Sequence, residues 1–208
     1  MTGQRRAVYN IENIGGHRES EGFLVEALKD YRKSELLNGV VYNMSPANIR
    51  HIRIQGHLHR IIGNFLQGKK CMVFSEAEVV FSEQNHLIPD INITCERSKV
   101  KDTYIDGAPD FIAEILSPST RKRDMTVKKD IYEKFGVKEY WIISPKDEAI
   151  EVYRLNEHGV YYLDNIYTNF SENEWARLTA EERAEQKLSL KVSLYDDLEI
   201  QLKDIFAD

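Results

Sequence analysis

The sequence predicts an α/β or α+β fold in which a mixed central sheet is flanked by helices. Three observations predict it. Asn38-Gly39 stands between two apolar-rich runs, a strong signal for a tight hairpin. A long stretch with apolar residues at helical spacing follows. Three segments rich in Val, Ile and Phe then succeed one another, at Cys71–Phe81, Leu87–Cys95 and Pro109–Ser117. A helix apolar along one side packs on something flat, and these strands supply it.

The elements read as follows along the chain. Ser20 to Tyr31 suggests a short helix with Phe23, Leu24, Ala27 and Leu28 on one side. Asn38-Gly39 then makes a type I′ turn. Ser45 is placed to cap the long helix, with Pro46 at its first position; Ile49, Ile52, Leu58, Ile61, Ile62 and Phe65 form its stripe, and Gly68 closes it. After the three strands comes a helix from Asp124 to Phe135, with Val127, Ile131 and Phe135 as its buried stripe and Gly136 at its end. Strands follow at Glu139–Ser144, stopped by Pro145, at Ala149–Leu155 and at Val160–Tyr167. Thr179-x-x-Glu182 is a capping box opening a charged helix. Leu188–Leu194 reads as a strand and Leu198–Phe206 as a terminal helix.

The 208 residues suit one domain over positions 1–208, with no repeat or linker to divide it. At 42% hydrophobic and 30% charged residues the composition is that of a folded globular chain rather than a disordered one. A net charge of −6 shows no global basic footprint for nucleic acid. A local basic run does occur at Arg121, Lys122, Arg123, Lys128 and Lys129; it reads equally well as a solvated loop and helix start. Cys71 and Cys95 lack metal-ligand spacing and lie in strand-like runs, so the expectation is two buried, inert thiols in a reducing compartment. No apolar stretch is long enough to cross a bilayer. A cytoplasmic protein is the default expectation.

Two acids are placed oddly. Asp90 opens a buried-looking strand in Ile88-Pro-Asp-Ile-Asn-Ile-Thr94, and Glu114 lies inside another in Asp110-Phe-Ile-Ala-Glu-Ile-Leu116. A carboxylate in a core strand must be paired, protonated or bound to a metal. Each could meet an Arg or Lys in a structural ion pair. Two of them on neighbouring strands point instead to a hard cation such as Mg²⁺, which takes one or two carboxylates and keeps several waters. Lys128 lies at the margin of its helix stripe and can reach over the sheet end, or stand in solvent. Tyr132, one turn on, can bond into the same site or simply pack. Of the three histidines on the long helix, His57 and His59 read as surface groups, because the spacing of the set is not that of a two-ligand helical face. His51, in the first turns, stays a candidate.

These residues carry a resemblance. Ala108-Pro-Asp-Phe-Ile-Ala-Glu-Ile-Leu-Ser-Pro-Ser-Thr-Arg121 resembles the signature of the Uma2 family of restriction-endonuclease-like proteins, as do Lys128, Tyr132 and Gly136-Val-Lys-Glu-Tyr-Trp-Ile-Ile-Ser-Pro145. Glu35-Leu-Leu-Asn-Gly-Val-Val, Met44-Ser-Pro, His51 and Pro89-Asp90 match in order, over roughly residues 20 to 206. The charged segment Asn169–Gln186 departs from the pattern. The resemblance implies a restriction-endonuclease-like, PD-(D/E)XK core and DNA as the substrate of metal-dependent phosphodiester hydrolysis; a homodimer is expected because symmetric dimers are the commonest assembly and many nucleases use two active sites. The resemblance also implies that Asp90 and Glu114, with the backbone carbonyl of Ile115, hold Mg²⁺ or Mn²⁺. Leu116 fills the usual lysine position, so Lys128 would supply that charge to a water and to the transition state. Glu35 and His51 would be a further ligand or a proton-handling group. The alternative is a non-catalytic binding or scaffold protein that retains the core.

Asp110 also follows a proline, so the ligand aspartate must be chosen. If the strands holding Asp90 and Glu114 form an antiparallel pair closed by a symmetric loop centred near Asp102, Asp90 faces Glu114 and Thr94 faces Asp110. Opposed Cβ atoms are about 5 Å apart, whereas Asp110 lies roughly 13 Å from Glu114 along its strand, at about 3.3 Å per residue. Asp90 is the expected ligand, with Asp110 fixing the strand end.

Overall fold

The structure is a computed structural model that describes residues 33–207; the helix expected at Ser20 to Tyr31 lies outside them. Strands β1 (Ser34–Leu37) and β2 (Val40–Asn43) pair antiparallel with Leu37 opposite Val40. Asn38 and Gly39 both have positive φ, 50° and 79°, as a type I′ turn requires. Helix α1 spans Ile49–Leu66, three residues later than Ser45-Pro46 suggested. Asn48 is its cap: it is extended, and its side chain accepts from the His51 N–H at 2.9 Å. The buried stripe is His51, Ile54, Leu58, Ile62 and Leu66, while Ile49 and Ile52 face outward, 72% and 49% exposed. Burying its four aliphatic members contributes roughly 1.5–3 kcal/mol each.

The chain from Cys71 to Cys95 is one long antiparallel hairpin bent in the middle. Its outer halves, β3 (Met72–Ser75) and β6 (Ile91–Thr94), belong to a six-stranded sheet; its inner halves, β4 (Glu78–Ser82) and β5 (Asn85–Leu87), belong to a five-stranded one. Glu76, with φ of 52°, and Pro89 make the corner, held by Glu76 N–H donating to the carbonyls of Pro89 and Asp90. The two uninterrupted strands expected here are therefore four. In the register of β3 on β6, Met72 faces Thr94, which sets Cys71 against Cys95, and a disulfide joins them. That overturns the expectation of two free thiols, and with it any argument from them for a reducing compartment.

Strand β7 (Tyr104–Asp106) closes the five-stranded sheet beside β4, giving the order β2-β1-β5-β4-β7. Strand β8 (Phe111–Ile115) lies between β6 and β9 (Glu139–Ser144), antiparallel to the first and parallel to the second. Strands β10 (Ala149–Leu155) and β11 (Tyr161–Thr168) complete the six-stranded order β11-β10-β9-β8-β6-β3. The sheet is mixed, as expected. Its two faces bury two cores. Phe111, Ala113 and Ile115 of β8 join α1 and the C-terminal elements on one face. Ile112, Tyr140 and Ile142 join the five-stranded sheet and helix α2 on the other.

Helix α2 runs over residues 121–134 and is not uniform: Arg121–Arg123 is α, Asp124–Lys128 is π, and Lys129–Lys134 is α. Gly136, at φ 82°, ends it. The tail holds two short helices with capping boxes, α3 (Glu172–Arg177) behind Ser171 and α4 (Ala180–Glu185) behind Thr179. Strands β12 (Ser189–Lys191) and β13 (Glu199–Gln201) then pair, and α5 (Leu202–Phe206) packs against α1. The terminal segment expected to be wholly helical is thus half strand. Among the described residues no helix is long and apolar enough to cross a membrane.

Candidate active site

Strand alternation sends Glu114 to the α2 face, beside Ile112. Strand β6 pairs with β8 as Ile91 opposite Ala113 and Asn92 opposite Ile112. One step further, the same register sets Asp90 opposite Glu114. Asp90 stands at the corner where the chain passes between the sheets, so the end of the six-stranded sheet is not covered there. A cleft of about 660 Å³ opens at that corner, lined by His51, Asp90, Glu114, Ile115, Asp124 and Lys128 among others.

Both carboxylates are buried and held. Asp90 Oδ2 accepts from the Ile115 N–H at 2.7 Å, and Oδ1 lies 3.0 Å from His51 Nε2. Glu114 Oε1 accepts from Lys128 Nζ at 3.0 Å and from the Tyr132 hydroxyl at 2.6 Å. Its Oε2 has a long contact of 3.4 Å from the Asp90 N–H. Lys128 is only 2% exposed and also meets Glu35 Oε1 at 2.8 Å and Asp124 Oδ1 at 3.4 Å. Glu35 Oε1 accepts from the Ile88 N–H as well. Lys128 is thus at the centre of the buried face, not at its margin: the π turn brings it inward together with Asp124. The basic run divides accordingly. Arg121 and Lys122 are exposed, and Lys128 is not.

The cluster is short of positive charge. Glu35, Glu114 and Asp124 surround one ammonium, and Asp90, beside them, is paired with His51. Burial would lower the Lys128 pKa, but the charges of Glu114, Glu35 and Asp124 outweigh it and lift it well above the ordinary value. Burial lifts the Glu114 carboxyl well above the usual range; Lys128 pulls it down, while Asp90, Asp124 and Glu35 lift it further. Asp124 is raised by burial in the same way. Lys128 stays charged, and the surplus negative charge calls for protons or for another cation.

A family model described as "Uma2: Putative restriction endonuclease" matches residues 23–193. The chain belongs to the Uma2 family. The "Uncharacterized protein slr1290" of Synechocystis sp. (strain ATCC 27184 / PCC 6803 / Kazusa) is 27% identical to it over 148 residues, covering 70% of this chain and 78% of that one. A crystal structure of "a putative nuclease belonging to DUF820" from Anabaena variabilis ATCC 29413 superposes with a TM-score of 0.64 at 22% identity, over 88% of this chain and 97% of that one. At that identity the likeness is one of fold, and the fold is restriction-endonuclease-like.

The donor set of this Uma2 chain suits a hard cation in its chemistry, since Asp90, Glu114 and Ile115, which line the cleft, are all oxygen donors. Among the described residues no three His, Cys, Asp or Glu side chains converge tightly enough to cage an ion. A pair of carboxylates of this kind suits an ion that keeps most of its waters. Glu35 and Tyr132 stand behind the cleft and act through Lys128 and Glu114. His51 lines it, with Nδ1 buried and without a hydrogen-bond partner. His57 and His59 contact the Ile205 carbonyl and Ser75 instead. Asp110 is engaged elsewhere, by the Cys95 N–H at 2.9 Å and Lys138 at 2.7 Å. Sequence reasoning missed Asp124; its four-residue spacing from Lys128 was the available signal.

Proposed function

We propose that this Uma2 chain is a divalent-cation-dependent endonuclease that hydrolyses phosphodiester bonds of DNA in the cleft over Asp90 and Glu114. The observation that carries the reading is the pair of buried carboxylates opposed across β6 and β8, with a surplus of negative charge around one ammonium. Asp90 and Glu114, with the Ile115 carbonyl, would hold Mg²⁺ or Mn²⁺; such an ion polarises a phosphate and acidifies water. Lys128 offsets negative charge that develops on the phosphate. His51 is the proton-handling group: its Nε2 lies 3.0 Å from Asp90 Oδ1, and its buried Nδ1 has no hydrogen-bond partner. Exposed Arg121 and Lys122, adjoining Thr120 of the lining, give the DNA backbone a basic rim. A homodimer would bring two such clefts to one duplex.

One observation favours a second reading, a non-catalytic binding or scaffold protein. The charged lining is Glu76, Asp90, Glu114 and Asp124 against Lys33 and Lys128, an acidic floor that repels phosphate until a cation enters. The test is cleavage of single- and double-stranded DNA with Mg²⁺ or Mn²⁺, beside Glu114→Ala, with calorimetric Mn²⁺ titration of the wild type and Asp90→Ala. Cleavage lost in Glu114→Ala, with Mn²⁺ binding weakened in Asp90→Ala, supports the nuclease. Mn²⁺ binding without cleavage supports the second reading, and equal Mn²⁺ binding by both chains overturns the site.

A further inference from the structure

Lys128 is held by carboxylates from three different elements, Glu35 on β1, Glu114 on β8 and Asp124 on its own helix. Glu35 and Glu114 approach its Nζ at 2.8 and 3.0 Å, and Asp124 stands within ion-pair reach at 3.4 Å. Two of these acids already belong to the reading given above; the third has no assigned role. We propose that Asp124 is a positioning residue whose carboxylate, with that of Glu35, pins the Lys128 ammonium against Glu114.

The placement of Asp124 supports this. An acid in the first turn of a 14-residue helix ordinarily faces solvent and complements the helix dipole, yet Asp124 is only 1% exposed. A carboxylate so buried needs a cation or several donors. Its Oδ1 has no hydrogen-bond partner, and Lys128 Nζ is the cation within ion-pair reach, at 3.4 Å. The five residues from Asp124 to Lys128 form a π turn, a widened helical turn common at functional sites. Both of its ends point into the buried cluster. The turn is anchored from the sheet by the Tyr140 hydroxyl, which donates to the Asp124 carbonyl at 2.9 Å. Glu114 is fixed from the helix itself by Tyr132, one turn after Lys128. A lysine tied in this way acts as a stationary charge.

The consequence for catalysis rests on the nuclease reading; the placement does not. The experiment uses the full chain labelled with ¹⁵N,¹³C-lysine, and reads the hydrogen exchange of lysine ammonium groups by NMR. The wild type should show one slowly exchanging Nζ signal, identified by its loss in Lys128→Arg. In Asp124→Asn that signal should exchange roughly tenfold faster, the scale of one hydrogen bond to a charged group. Where DNA is cleaved, kcat should fall about tenfold at unchanged KM, the scale of an orienting contact behind a site. Unchanged exchange in Asp124→Asn overturns the proposal, as does a wild type with no protected ammonium. If Asp124→Asn does not fold, Asp124→Ser carries the same readout. If the wild type cleaves nothing, the nuclease reading fails and ammonium exchange still decides the role of Asp124.

Discussion

Strand β8 and the residue before it carry two acids on one face of one sheet, and the protein treats them in opposite ways. Asp110 stands at the strand's open end, with side-chain exposure of 16%, beside a lysine that is 65% exposed. Burial alone would raise its pKa; the hydrogen bonds from Lys138 and from the Cys95 N–H, with the charges of Lys138 and Lys99, outweigh burial and lower it. Glu114, four residues on, is fully enclosed among three other carboxylates and is raised. The first acid is stabilised as an anion where water can still screen it. The second is held where an anion is costly, with one buried ammonium and one hydroxyl as its partners. Burial of an acid beside like charges marks the functional end of the strand; a solvated, paired acid marks the structural end.

The largest effect expected is from Lys128→Met, which leaves Glu35, Glu114 and Asp124 buried around an uncharged side chain. Loss of one partner of a buried pair costs about 3–5 kcal/mol, so the melting temperature at pH 7 should drop by roughly 10 °C or more. If calorimetry shows no drop, the carboxylates are already neutral and the contrast collapses. Asp110→Asn should cost about 1 kcal/mol at pH 7, the net value of an ordinary hydrogen bond, and leave Mn²⁺ affinity untouched. Its sign with pH follows from the direction of the shift. A lowered pKa contributes stability that is present above the unfolded value, near 3.8, and is lost as pH falls through the lower folded value. Denaturant melts of the wild type and the variant should therefore differ at pH 6 and converge below pH 3. The smallest effect should come from Glu114→Gln, which keeps shape and removes a charge that burial disfavours. Stability should change by less than about 1 kcal/mol, while Mn²⁺ affinity falls at least tenfold; a large loss of stability instead would make Glu114 a structural ion-pair partner.

These residues also show which parts of the molecule local sequence could reveal. Asn38-Gly39 announces its own turn, because only residues tolerant of positive φ fit there. The Ala149–Leu155 strand ends where its neighbours predict. The pairing of Asp90 with Glu114 follows from supposing an antiparallel pair and a symmetric loop between its strands, and the observed register agrees with it. The cap of α1 did not follow, because Ser45 and Asn48 are both good caps and the choice depends on where the helix meets the sheet.

What the sequence by itself determined is most of the helices and strands and the two acids set in a buried strand environment. Each depends on neighbours a few residues apart. Only the tertiary structure decided that the Cys71–Cys95 hairpin bends between two sheets, that its ends close in a disulfide, and that a π turn carries Asp124 and Lys128 inward. Spacing along a regular helix predicts a stripe at Val127, Ile131 and Phe135. A widened turn changes that phase, and its stability depends on partners more than eighty residues away, such as Glu35 on Lys128. Long-range electrostatics of this kind leaves no local pattern, because the charges that meet in the cluster are scattered along the chain until folding brings them together.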